Sequence, residues 1–129
     1  MAVVPVIRLR DTLIATVQEE LYDRDALQLQ EDLGRLLETG RASGVILDLS
    51  AVATLDSFLA RLIGNIASMS RLLGANTVVV GIQPAVAVTL VEFGLHLPGV
   101  RTALDVEKGL ALLDLLLAEE RGWGRGHGP

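Results

Sequence analysis

The chain has 129 residues, enough for one domain with a sizeable core and too few for two comfortable ones. It contains no cysteine, which excludes disulfides, thiolate nucleophiles and cysteine-based zinc sites. Its net charge of −5 and pI of 4.9 argue against wrapping a nucleic-acid backbone, and one Trp, one Tyr and two Phe offer few platforms for stacked bases.

Half the residues are hydrophobic and the mean hydropathy is +0.47, apolar for a soluble protein. The longest uncharged stretch, Leu72 to Val91, is interrupted by Gly81, Gln83 and Pro84, so it is read as strand, turn and helix rather than as a bilayer span. The opening residues Met1 to Arg8 lack the basic region and long apolar core of a signal peptide. A cytoplasmic protein is expected, with protein partners rather than membrane or nucleic acid.

In chain order, Val3 to Leu9 and Leu13 to Gln18 read as two strands joined at Arg10-Asp11-Thr12. In the second, Leu13, Ala15 and Val17 alternate with Ile14, Thr16 and Gln18, which predicts one solvated face. A helix begins near Asp23 to Asp25, whose charges suit its positive end. Its apolar stripe is Ala26, Leu29, Leu33, Leu36 and Leu37, and Gly40 is the expected C′ residue just past its end. Val45 to Leu49 is an apolar run broken only by Asp48, as a strand covered on both faces would be.

A polar-studded loop leads to Ser57. From Phe58 the spacing becomes helical, with Phe58, Leu62, Ile66, Met69 and Leu73 on one stripe and Gly74 closing the helix. Thr77 to Ile82 is a β-branched strand, and Pro84 opens a helix ending near Gly94. After Pro98-Gly99 come a short strand near Val100 to Ala103 and a last helix capped by Asp105, with Val106, Leu110, Leu113 and Leu117 at helical spacing. These elements make a single α/β domain over residues 1–120, with a mixed sheet and the order β-β-α-β-α-β-α-β-α. Residues 121–129, glycine-rich and without periodicity, read as a disordered tail.

No catalytic constellation assembles. The stretch between Leu47 and Phe58 has no glycine, so no phosphate-cradling loop follows that strand, and no serine sits in a nucleophile elbow. His96 and His127 are far apart and without helical ligand spacing. An enzyme, a metal and a cofactor are therefore not expected. Asp48, at a strand end, invites comparison with a receiver aspartate. The first strand ends without an acidic pair, and the single lysine, Lys108, lies in the last helix, so a loop-supporting role suits Asp48 better. Ser57 admits two readings. It can serve as a structural helix cap, or as a covalent switch whose phosphate would meet free backbone N–H groups and the positive helix end.

Asp48-Leu49-Ser50-x-Val52-x-x-x-Asp56-Ser57 resembles the central motif of STAS domains, the anti-sigma-factor antagonists of bacterial partner switching. The resemblance covers roughly Val3 to Leu117. Leu27-Gln28-x-Gln30-Glu31-Asp32-Leu33, the Gln83-Pro84 block from Val79 to Glu92, and Thr102 to Leu110 are similar to the stressosome subgroup, and the absence of a preceding sensor domain fits its small RsbS-type scaffolds. The resemblance implies a non-catalytic scaffold phosphorylated on Ser57 by a cognate serine/threonine switch kinase. The unphosphorylated complex would hold the kinase, and phosphorylation would release it.

The implied partners are that kinase, sensor proteins with a C-terminal STAS domain, and further copies in a large complex. Asp56 and Phe58 fall at the kinase-docking positions. Bulky Phe58 departs from the small residues that follow the serine in many simpler antagonists. Thr54 is near enough to be a second acceptor, although a loop threonine without a role is the simpler reading. A small-ligand or nucleotide-binding module of the same fold is the alternative function.

Overall fold

The computed structural model describes residues 4–92 and 99–126. The elements are β1 (Val6–Leu9), β2 (Thr12–Thr16), α1 (Asp23–Gly40), β3 (Gly44–Asp48), α2 (Ser57–Leu72), β4 (Asn76–Val80), α3 (Pro84–Glu92), β5 (Val100–Ala103) and α4 (Val106–Gly126). This is the expected order. The sheet runs β1-β2-β3-β4-β5, with β1 antiparallel to β2 and every later neighbour parallel.

Strands β2 to β5 are added in sequence along one direction. Parallel crossovers are right-handed, so the helices that connect such strands fall on a single face. The core follows that rule. Leu13, Ala15, Val45, Leu47 and Val79 face one way, into Leu29, Leu33 and Leu37 of α1, Leu59, Ile63 and Ile66 of α2, and Val86 of α3. The alternate residues Ile14, Ile46, Val78 and Val80 face the other way, where Leu113 of α4 covers them. Since α4 follows the last strand, it is free to fold onto the face that no crossover helix occupies.

That second layer corrects the reading of β2. Ile14 is 7 % exposed and belongs to the cluster under α4, so it is not on a solvated face. Thr16 is the last residue of the strand, and Gln18 lies exposed beyond it. Alternation over six residues cannot register a helix that returns from ninety positions further on.

The end of α1 is a second correction. Gly40 is still helical, and Arg41 takes the left-handed conformation at φ 53°. A Cβ on Gly40 would meet only the end of the flexible Arg8 side chain, and the left-handed turn falls one residue later, on Arg41. In α2, Leu62 and Ile66 are buried as expected, and Leu59, Ile63 and Ala67 complete the buried face. Leu73 lies past the helix end, 42 % exposed, followed by Gly74 at φ +82°. The expected continuation of α3 to Gly94 falls outside the described residues.

α4 continues to Gly126, through residues 121–126 that the sequence assigns to a tail. Gly122, Gly124 and Gly126 lie in these last turns, and each helical glycine costs about 1 kcal/mol relative to alanine. Truncation after Arg121 is therefore expected to move the melting temperature by less than about 2 °C. A larger loss in a thermal melt would show that the last turns dock. Among the described residues, no helix is long and apolar enough to cross a membrane.

Candidate functional site

The parallel strands β2, β3 and β4 finish on the same side of the sheet, and the segment from Asp48 to Ser57 crosses that edge. Its first residues stay tied to both neighbouring strands. The Val17 N–H donates to the Asp48 carbonyl at 3.0 Å, and the Leu49 N–H to the Val80 carbonyl at 2.9 Å. The Asp48 carboxylate then accepts from the Ser50 N–H at 2.9 Å, and the Val52 N–H bonds the Leu49 carbonyl at 2.9 Å. A short acceptor side chain capturing the N–H two residues on is how aspartate closes such a turn. Asp48 supports the loop, as its sequence position suggested.

The turn after β4 braces this loop from the side. Gln83 Nε2 donates to the Ser50 carbonyl at 2.8 Å. Gly81, at φ +72°, comes so near that a Cβ there would lie 2.8 Å from Asp48 Oδ1 and 3.1 Å from the Ser50 nitrogen. Val52 and Leu55 point into the core, while Ala51 before them and Ala53 and Thr54 between them are exposed. Three apolar anchors, Leu49, Val52 and Leu55, and the polar contacts of Asp48 and Gln83 hold a glycine-free loop whose side chains at Ser50, Ala51, Ala53 and Thr54 are exposed.

At the loop's end the two candidate caps separate. Asp56 has extended backbone, φ −110° and ψ 176°, and its Oδ1 accepts from the Leu59 N–H at 2.8 Å. The Ala60 N–H donates to its carbonyl at 3.1 Å. Asp56 is therefore the N-cap, and a carboxylate there also complements the helix dipole. Ser57 is the first helical residue, exposed, with no side-chain hydrogen bond to any described residue. The reading of Ser57 as a structural cap is thus corrected. Its hydroxyl is presented to solvent at the helix start.

Phe58 turns the other way. It is half-buried against the core and lines a shallow groove of about 230 Å³ between α1 and α2. Asp23, Leu27 and Gln30 of α1 form one wall, and Arg61 and Asn65 of α2 the other. Phe58 thus joins the Ser57 surface to a partly apolar groove, whereas Thr54 stands on the loop away from the groove lining.

Two features of this site escaped the sequence reading. The sequence places Gly81 within the strand Thr77 to Ile82, whereas β4 ends at Val80, and Gln83 reads as punctuation and as part of the Gln83-Pro84 block; nothing local ties either to Ser50. Arg61 was overlooked, although its spacing of four from Ser57 was a usable signal. His96 and His127 lie outside the described residues.

Comparison with known proteins places this geometry. A family model described as the STAS domain matches residues 4–108. RsbS from Moorella thermoacetica, solved as a serine-to-glutamate variant, superposes with a TM-score of 0.77 at 36 % identity, over 89 % of this chain and 97 % of that one. A chain from the molecular architecture of the stressosome, described as a signal integration and transduction hub, gives 0.74 at 38 % identity, over 88 % and 98 %. The RsbT co-antagonist protein RsbRD of Bacillus subtilis is 35 % identical over 71 residues, 55 % of this chain and 26 % of that protein. RsbRA of the same organism is 30 % identical over 76 % of this chain and 34 % of its own length. The chain thus spans between a quarter and about a third of these two relatives.

Proposed function

The chain belongs to the STAS domain family, and from that premise we propose that it is a non-catalytic scaffold of a stressosome-like signalling assembly, switched by phosphorylation of Ser57. In this reading it associates with copies of itself and with sensor proteins carrying a related C-terminal domain. It holds a serine/threonine kinase in the cytoplasm and releases it once modified. The likeness to RsbS, to the stressosome chain and to the RsbT co-antagonists supports the scaffold and regulator role.

One observation carries the choice of residue. Asp56 caps α2, so the Ser57 hydroxyl is exposed and spare on a fixed frame. A phosphate added there acquires up to two negative charges beside the unpaired N–H groups of the first helical turn, where an anion is tolerated. The same charge arriving beside Asp56 and Phe58 repels and crowds a partner docked over them. Modification therefore weakens the docked complex more than the fold.

The test incubates the protein with a co-encoded serine kinase and nucleotide, maps the label, and measures kinase retention before and after labelling. Incorporation at Ser57 with loss of retention is expected. Labelling confined to another residue, Thr54 included, or a kinase held equally by both forms, overturns the reading.

A further inference from the structure

Beside Ser57 stands a cation without a partner. Arg61 lies four residues further along α2, so the two side chains share one helical face with Cβ atoms about 5–6 Å apart. Arg61 is exposed and forms no ion pair among the described residues. It is the only cationic side chain among the described residues lining the groove between α1 and α2. Asp23 on the opposite wall is the acidic one, and no ion pair joins the two. Phe58, next to Ser57 in the chain, also lines this groove.

We propose that Arg61 is the intramolecular counter-ion of a phosphate on Ser57. The inference rests on the reading of Ser57 as the acceptor and names the side chain that receives its phosphate. In the transfer, Ser57 Oγ bonds to the γ-phosphorus of a nucleoside triphosphate. The bond from that phosphorus to its bridging oxygen breaks, the diphosphate departs, and the hydroxyl proton passes to the kinase or to solvent.

The product is an anion four residues N-terminal to a cation, the favourable sense for such a pair on a helix. A guanidinium fork matches two phosphate oxygens, which an ammonium does less well. Asp56 opposes the dianion from the N-terminal side, but its Oδ1 is already engaged by the Leu59 N–H. Asp23, across the groove, is the competing carboxylate for Arg61. Arg61 is thus a positioning residue, acting through the phosphate.

The experiment places phosphoserine at position 57 during synthesis, so that no kinase is needed, and titrates it by phosphorus NMR at low salt. A cation favours the dianion and lowers the second phosphate pKa. Arg61→Gln is therefore expected to raise it by a few tenths of a pH unit, Arg61→Lys to recover part of the difference, and Arg24→Gln, outside the groove lining, to leave it nearly unchanged. Equal values in the parent and Arg61→Gln, or an equal rise in Arg24→Gln, overturn the proposal. A shift seen only with Arg61→Gln, in a protein that no kinase labels at Ser57, would sustain the counter-ion and sink the switch.

Discussion

Ser57→Ala is expected to abolish phosphate incorporation while leaving the melting temperature nearly unchanged, whereas Asp56→Ala is expected to lower the melting temperature and leave the acceptor hydroxyl in place. The contrast follows from which residue holds the helix. The Asp56 carboxylate accepts from the Leu59 N–H, and removing an N-cap acceptor costs about 1 kcal/mol. For a domain of this size that corresponds to roughly 3–5 °C in melting temperature. Ser57 is exposed and holds nothing among the described residues, so its truncation stays within about 0.5 kcal/mol.

Ser57→Ala should keep the kinase bound in the presence of nucleotide, and Ser57→Asp should mimic release in part, since one carboxylate carries less charge than a phosphate. Paired thermal melts and labelling assays separate the two residues. If Ser57→Ala melts several degrees lower, the serine is structural after all. If it is labelled as strongly as the parent, the acceptor lies elsewhere.

Gly81→Ala is expected to cause the larger structural loss at this site. The residue sits at φ +72°, a conformation costing a side-chain-bearing residue about 1–3 kcal/mol. The new Cβ would also press on Asp48 Oδ1 at 2.8 Å and on the Ser50 nitrogen at 3.1 Å, the two ends of the hydrogen bond that shapes the loop. One of those partners is backbone, so the loop itself must move.

Gly74→Ala provides the control. It also has a positive φ, +82°, but its Cβ would meet nothing within 4 Å. Both variants should be destabilised by backbone strain, whereas only Gly81→Ala should also slow labelling at Ser57. Equal labelling rates in the two variants would mean that the brace from β4 does not set the acceptor's position.

Much of this architecture was legible in the chain itself. The order of nine elements, the start of α2 and the position of Ser57 at its first turn follow from local periodicity, punctuation and helix-opening residues. Such signals act over a few residues, which is why they survive without knowledge of the fold. They failed where neighbouring residues offered equal chemistry. Asp56 and Ser57 are both preferred caps, and only the extended backbone at Asp56 decides between them. They failed again at Gly40, where the helix runs through the glycine and the left-handed residue is Arg41.

What the sequence by itself determined, then, was the succession of strands and helices and the serine that opens α2. Tertiary structure alone decided what surrounds them. The monotonic strand order sends α1, α2 and α3 to one face and leaves the other to α4, which buries Ile14. The same order sets β4 beside β3, so that Gln83 reaches the Ser50 carbonyl across 33 positions of sequence and Gly81 presses on Asp48. Periodicity is a property of a segment, whereas a brace belongs to two segments brought together. Only the packed sheet makes them neighbours.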